Sequence, residues 1–306
     1  MQNGGKTQPG IYVEIFIREK LDRIWQLTQE PELHEQWDLR FSQIRYLPRP
    51  SLAEPQRFLY ETRIGFGLSI KGTGESVGQC ALDTGETTSS LRFASDDPKS
   101  LMRQGSGYWR YVPIENGIRF FTWYDYEVRF GAIGRLVDRV AFRPLIGWAT
   151  AWSFDRLRLW AEKDQAPESS MNLSLIHAVA RLTLAFVWLW HGLVPKLLVR
   201  HIDERAMLRQ AGIPLHWLPW IGAGEIIFGI LMLCTWSRRF VFVVNGVLMV
   251  LATMAVAVKS PAYLEAAFNP VTLDLCVLSL SIAGWLASRT LPSARRCLRK
   301  DSSKQV

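Results

Sequence analysis

Residues 217–258 read WLPWIGAGEIIFGILMLCTWSRRFVFVVNGVLMVLATMAVAV, two apolar runs parted by Ser237, Arg238 and Arg239. A helix rises about 1.5 Å per residue, so a run of about 20 residues crosses a hydrocarbon core of about 30 Å. Neither run keeps the polar stripe that a helix packed on a soluble core retains. Working outward, the same length and character recur on both sides. Four transmembrane helices are therefore expected, at Ser174 to Val199, Trp217 to Trp236, Phe240 to Val258 and Pro270 to Ala287. Trp217, Trp220, Trp236 and Trp285 stand near the ends of these spans, where amphipathic rings favour the headgroup layer.

Charge divides the chain in the same way. Residues 1–170 hold 22 Lys and Arg against 22 Asp and Glu, leaving 14 against 6 for the rest, so the whole excess of +8 lies in the apolar half. No basic run interleaved with aromatics grips a nucleic-acid backbone, and no nucleic-acid partner is expected. Arg238 and Arg239 link the second and third spans, while Arg289, Arg295, Arg296, Arg299 and Lys300 follow the fourth. Positive charge favours the cytoplasmic side, which predicts a multi-pass protein of the cytoplasmic (inner) membrane with both termini cytoplasmic. One loop runs against this: Lys196, Arg200, Arg205 and Arg209 follow the first span, and 199–210 reads as an interfacial helix. The amino terminus, MQNGGKTQPG, has no apolar signal-peptide core. Cys80, Cys234, Cys276 and Cys297 form no Cys-x-x-Cys pair, so no metal site, disulfide framework or dithiol centre is expected.

The first 170 residues alternate like strands. IYVEIFI at 11–17 puts Ile11, Val13, Ile15 and Ile17 on one face. Leu21, Ile24 and Leu27 then fall at helical spacing, and Pro31 opens a second short helix ending near Trp37. Strand-like runs follow at 44–47, 58–64, 68–72, 90–95, 108–112 and 118–130, with turn signals between them. Last comes a long helix with Leu145, Trp148, Ala149 and Trp152 on one stripe.

This order resembles the helix-grip fold of the START-like (SRPBCC, polyketide cyclase/dehydrase-type) superfamily, carried by IYVEIFI, by LDRIWQLTQEPELHEQWD and by the closing run WATAWSFDRLRLW. A second resemblance lies in the membrane half. Arg181, GLVPKLL at 192–198, HIDE at 201–204, GAGEIIFG at 222–229 and FNP at 268–270 resemble the DoxX-like family of small four-helix membrane proteins. The fold class expected is an α+β helix-grip (START-like) domain followed by an all-α four-helix transmembrane bundle. Its parts are a disordered N-terminus at 1–10, a ligand-binding domain at 11–163, a linker at 164–173, the DoxX-like bundle at 174–288 and a basic cytoplasmic tail at 289–306.

In a sheet curled around a helix, strand parity assigns the interior. That gives a ligand cavity lined by Tyr60, Thr62, Phe93, Phe120, Thr122, Tyr124, Tyr126 and Trp152. By this parity no His, Asp or Glu points inward, and His34 is expected to be exposed, so no catalytic residue is assigned. In the bundle, ionisable side chains are costly and mark functional candidates. An intramembrane polar site is expected from Arg181, His191, Lys196, Glu225, Asn245 and Asp274, with His191, Lys196, Glu225 and Asp274 converging on the outer half. The plainer reading has Lys196 snorkelling, Asp274 capping its helix and Glu225 pairing with the nearest cation. His177 and His191 are about 21 Å apart along one helix, too far to share a haem iron, and no cofactor is expected.

The leading expectation is a non-catalytic one: the cytoplasmic domain binds a hydrophobic small molecule or lipid beside the inner leaflet, and the bundle anchors it. The DoxX-like resemblance implies a different activity, that of a membrane subunit of a quinone-linked oxidoreductase, with a redox partner subunit. Fold analogy alone suggests a cyclase or dehydratase. Gly-rich helix faces also favour a homo-oligomer.

Overall fold

The computed structural model describes residues 10–49, 51, 54–81, 85–267 and 269–300. Residues 1–9 of the N-terminus expected to be disordered at 1–10, residues 301–306 of the tail and Phe268 of FNP lie outside these residues. Two compact units emerge, one of 1–170 with 292–306, the other of 171–291.

The first unit opens with β1 (Ile11–Ile17), α1 (Leu21–Gln29) and α2 (Pro31–Trp37). Then come β2 (Gln43–Tyr46), β3 (Gln56–Gly65), β4 (Leu68–Ala81), β5 (Thr87–Ala94), β6 (Met102–Ile114) and β7 (Gly117–Val128). After them α3 (Gly131–Val137) runs through a π-helical stretch, Asp138–Phe142, into α4 (Arg143–Lys163). The sheet is wholly antiparallel, in the order β1-β7-β6-β5-β4-β3-β2, so β1 closes onto the last strand. This is a helix-grip arrangement, the fold that the sequence resemblance implies. Period-two patterning sets the register: Ile11, Val13, Ile15 and Ile17 lie opposite Tyr124, Thr122, Phe120 and Ile118, and all eight are buried. Phe120 stacks on Phe154 of α4 at 4.6 Å, and Trp37, fully buried, donates its indole N–H to Leu27 O at 2.8 Å.

Two expected boundaries change. The linker at 164–173 shrinks to Asp164–Ala166, because Asp164 ends α4 in the left-handed conformation (φ 50°) and Pro167 starts the next helix, α5 (Pro167–His191). Proline suits a first helical turn, where its missing N–H would be unpaired anyway. The tail, expected only as a basic segment at 289–306, folds back onto the first unit from Pro292. Leu298 exchanges both backbone hydrogen bonds with Glu14 on the edge strand β1, each 2.9 Å. Asp155, fully buried on α4, accepts from Ser293 N and Arg296 Nη1, both at 2.7 Å, and from Arg158 Nε at 2.7 Å. Cys297 is buried beneath the strap, and burial pushes its thiol pKa up to about 12. The strap thus occupies a sheet edge that would otherwise show unpaired backbone.

The second unit holds most of α5, a π-helical turn at Gly192–Leu198, α6 (Ile202–Gln210), α7 (Leu218–Cys234), α8 (Phe240–Lys259) and α9 (Pro270–Ala287). Among the described residues, four helical segments are long and apolar enough to cross a membrane: Pro167–Leu198, Leu215–Cys234, Phe240–Lys259 and Pro270–Ala287. Pro195 has no N–H to give, and the widened turn around it is closed by Val199 N bonding Val194 O at 2.9 Å. At Gly192 and Gly222 the backbones of this turn and α7 meet so closely that a Cβ on either would lie 2.5–2.8 Å from the other's carbonyl oxygen.

Candidate functional site

A cavity of about 440 Å³ lies within the first unit, between the sheet and α4. Of the residues assigned to it by parity, Tyr60, Thr62, Phe93, Thr122 and Tyr124 line it. Phe120, Tyr126 and Trp152 do not. Phe120 is consumed by its stack on Phe154, Tyr126 donates its hydroxyl to the buried Asp138 at 2.6 Å, and Trp152 stacks on Trp148 along α4. Parity picked the correct sheet face for the first two, but α4 fills that part of the interior.

Tyr60 lies flat over Gly72 on the neighbouring strand, where a Cβ would sit 2.3 Å from its ring. Glycine there keeps the ring against the sheet and the space above it open. Burial pushes the Tyr60 phenol pKa up to about 12. Tyr124 donates its hydroxyl to Thr150 Oγ1 at 2.9 Å, since that threonine spends its own proton on Ile146 O. A second polar patch joins Thr28, Gln29 and Ser89, which line the cavity, to Tyr111: Thr28 Oγ1 is 2.7 Å and Gln29 Nε2 2.9 Å from the Tyr111 hydroxyl.

The largest departure from expectation is His34. It is not exposed; it lines the cavity, caged by Trp37, Phe41 and Trp109 with ring centroids 4.9–5.1 Å away. Helix α2 ends at Trp37, so the carboxylate of Asp38 turns back to His34 Nε2 at 3.1 Å while Arg40 forks onto both Asp38 oxygens at 2.6–3.2 Å. Although burial alone would raise the Asp38 pKa, the Arg40 guanidinium and the hydrogen bonds from His34 and Arg40 hold it well below the usual carboxylate range. Burial holds His34 below the ordinary imidazole value, with Asp38 only partly opposing it. The neutral imidazole therefore donates from Nε2 to Asp38 and leaves Nδ1 as an acceptor, which has no hydrogen-bond partner among the described residues. An interior titratable group does exist, supplied by a helix end that strand parity never samples. Spacing held the clue: in HEQWDLR at 34–40, His and Asp are four apart and an Arg follows at two.

In the bundle the six expected residues form three separate arrangements. Arg181, fully buried, donates to His177 Nε2 at 3.2 Å and to the carbonyls of Met232, Thr235 and Arg238 at 2.6–3.0 Å, closing the carboxy end of α7. Asn245 accepts from Trp188 Nε1 and donates to Ser281, both at 2.5 Å, tying α5, α8 and α9 together. Lys196 Nζ lies 3.1 Å from Glu225 and 2.9 Å from Glu204 of α6, the segment expected as an interfacial helix. His191 is within electrostatic reach of Lys196, Glu204 and Asp274, and Asp274 accepts from Thr253 Oγ1 at 2.9 Å. Asp274 does not cap α9; Asn269 does, accepting from Thr272 N at 2.9 Å.

Residues 185–282 match the DoxX-like family. The first unit is similar to a STAR-related lipid transfer protein fragment from Xanthomonas axonopodis (13% identity, 50% of this chain and 94% of that one, TM-score 0.37). It is also similar to the di-domain ARO/CYC protein StfQ from the steffimycin biosynthetic pathway (14% identity, 51% of each chain, TM-score 0.41). Over nearly its whole length, 96% of this chain and 98% of the other, the sequence is 40% identical to the uncharacterized membrane protein YndG of Bacillus subtilis. The chain belongs to the same family as YndG, and is a multi-pass membrane protein in which an antiparallel helix-grip unit precedes a bundle that matches the DoxX-like family over residues 185–282.

Proposed function

We propose that the cavity of the START-like unit holds a hydrophobic or amphiphilic small molecule of lipid character, its polar end against His34 and Arg40, and that the bundle keeps this unit at the inner membrane. The observation that carries the reading is the cavity itself: about 440 Å³, walled by Ile44, Phe58, Ile70, Leu91 and Phe93, with a few polar groups clustered at fixed points. Pockets for small molecules have this size and this make-up. A cytoplasmic position for both termini is supported by Arg238 and Arg239 between the second and third spans and by the return of the chain into the first unit at Pro292, which an even number of crossings satisfies.

Ala149 on α4 lines the cavity and is small enough to test this. Mass spectrometry of the full-length protein in detergent is expected to find an apolar ligand in the parent. Ala149→Phe should lower its occupancy about tenfold, a cost of about 1.4 kcal/mol. An empty parent cavity, or equal occupancy in the variant, sinks the proposal.

An acid–base step is the second reading, favoured by one observation: His34 is oriented by Asp38 and offers a bare Nδ1 at the cavity. His34→Gln keeps a donor and an acceptor but cannot hold a proton near neutral pH. Should the ligand recovered from His34→Gln differ chemically from that of the parent, turnover is indicated; the same molecule in both points to binding alone.

A further inference from the structure

The end of the first unit where the cavity opens carries an apolar surface that its fold does not use. Three chain reversals share that end: the β3–β4 hairpin, the 95–101 loop and the turn from β7 into α3. They are stitched together, with Lys99 Nζ on Ser69 O at 2.8 Å and Arg129 N on Leu101 O at 2.8 Å. At the hairpin tip Gly65, Phe66 and Gly67 all have positive φ, and Phe66 projects fully into solvent. A phenylalanine in the left-handed region is held there at a cost that no packing contact repays. Across the opening, Ile133 and Val140 are 75% and 70% exposed. Ile64 and Leu145 line the cavity and are more than half exposed, so they stand at its mouth.

Charge says what covers this surface. Between Gly131 and Phe142 the exposed charges are Arg135 and Arg139, which make no ion pair among the described residues. The acidic residue, Asp138, is buried and neutralised by Arg143 at 3.0 Å. Lys71 and Arg63 flank the hairpin, Arg63 at 3.9 Å from Glu61, and the 95–101 loop adds the exposed Asp96, 3.9 Å from Arg129. A short helix that is apolar outward and carries only arginine as exposed charge suits the headgroup and acyl boundary of a bilayer containing anionic lipid, which attracts basic groups at its surface. The same chain carries four membrane spans, so a bilayer is always within reach.

We infer that this rim, Phe66 on one side and the Ile133–Leu145 helix on the other, docks onto an anionic lipid surface and sets the cavity mouth against it. The inference rests on the cavity reading above for its purpose, since a ligand then passes between leaflet and cavity without crossing water.

The test uses the full chain, one copy per lipid nanodisc, of phosphatidylcholine with or without phosphatidylglycerol. An aqueous-quenchable dye is placed through Phe66→Cys, Ile133→Cys or, at the opposite end of the sheet, Glu115→Cys, with the labelled parent subtracted for its own thiols. Iodide quenching at 66 and 133 should fall about fivefold relative to 115 in the anionic discs, and Ile133→Glu with Val140→Glu should restore it at 66. Equal quenching at all three positions overturns the inference. So does shielding that appears only when a disc holds two copies, which assigns the face to a second copy of the chain. Ligand occupancy, read separately by mass spectrometry, reports on the cavity: an empty cavity with a shielded rim removes the purpose and leaves the docking.

Discussion

Asp38→Ala is expected to destabilise the first unit by about 3–5 kcal/mol, the cost of breaking a buried ion pair by removing one partner. Asp38 is 1% exposed and satisfies three groups at once: the Arg40 guanidinium, the Arg40 backbone N–H at 3.0 Å and His34 Nε2. Without it, Arg40 faces an apolar cavity with a whole charge and no counter-ion, beside the rings of Phe41 and Tyr124 at 5.5–5.6 Å, whose cation–π attraction is too weak to compensate. Hydrogen exchange of the β7 amides in the full-length protein reads the effect on this unit alone. Removing both partners in Asp38→Ala/Arg40→Leu should recover part of the loss, because no lone charge then stays buried. The pH dependence follows the same logic. Asp38 has its folded pKa below the unfolded value of 3.8, so its contribution is complete above that pH and fades as pH drops through the folded value. A single variant within 1 kcal/mol of the parent would show that the pair is solvated and does not organise the cavity.

How much of this was legible beforehand depends on which physical signal carries each part. The spans were readable because hydrocarbon thickness dictates length, and the strands because β1 and β7 alternate over their whole length. Tyr60, Thr62, Phe93, Thr122 and Tyr124 reach the cavity on the same alternation. Phe120 and Tyr126 share their face yet miss the cavity, because the sequence does not say how far α4 advances into the sheet. His34, Asp38 and Arg40 belong to no periodic element; they meet because α2 ends at Trp37, and helix ends are where sequence patterns are least informative. The tail strap was invisible for a similar reason. Arg296 looks like any basic residue after a membrane span until Asp155, 141 positions earlier, is seen buried opposite it at 2.7 Å. Glu204 lies in the segment expected as an interfacial helix, and its spacing alone does not announce that it completes the pairing of Lys196 with Glu225.

Arg181 decides a similar question in the bundle, where its burial alone would mark it as functional. Its geometry argues for structure: the guanidinium spans the carboxy end of α7 and takes up backbone carbonyls there, at the end of the helix where a cation is favoured. Phe242 beneath it, 4.7 Å from the guanidinium carbon, completes the enclosure. Arg181→Leu keeps much of the volume and strands the buried carbonyl of Met232. An unsatisfied buried acceptor costs about 1–3 kcal/mol in soluble proteins, whereas single hydrogen bonds in membranes average nearer 0.6 kcal/mol. Several bonds to one charged donor then place the expected loss at about 2–4 kcal/mol, read by SDS-induced unfolding of the bundle. Arg181→Lys should fall between, because an ammonium keeps the charge but not the planar fork that reaches three carbonyls at once. A bundle of unchanged stability in Arg181→Leu, combined with loss of a cellular phenotype, would instead return Arg181 to the list of functional groups and remove the capping argument.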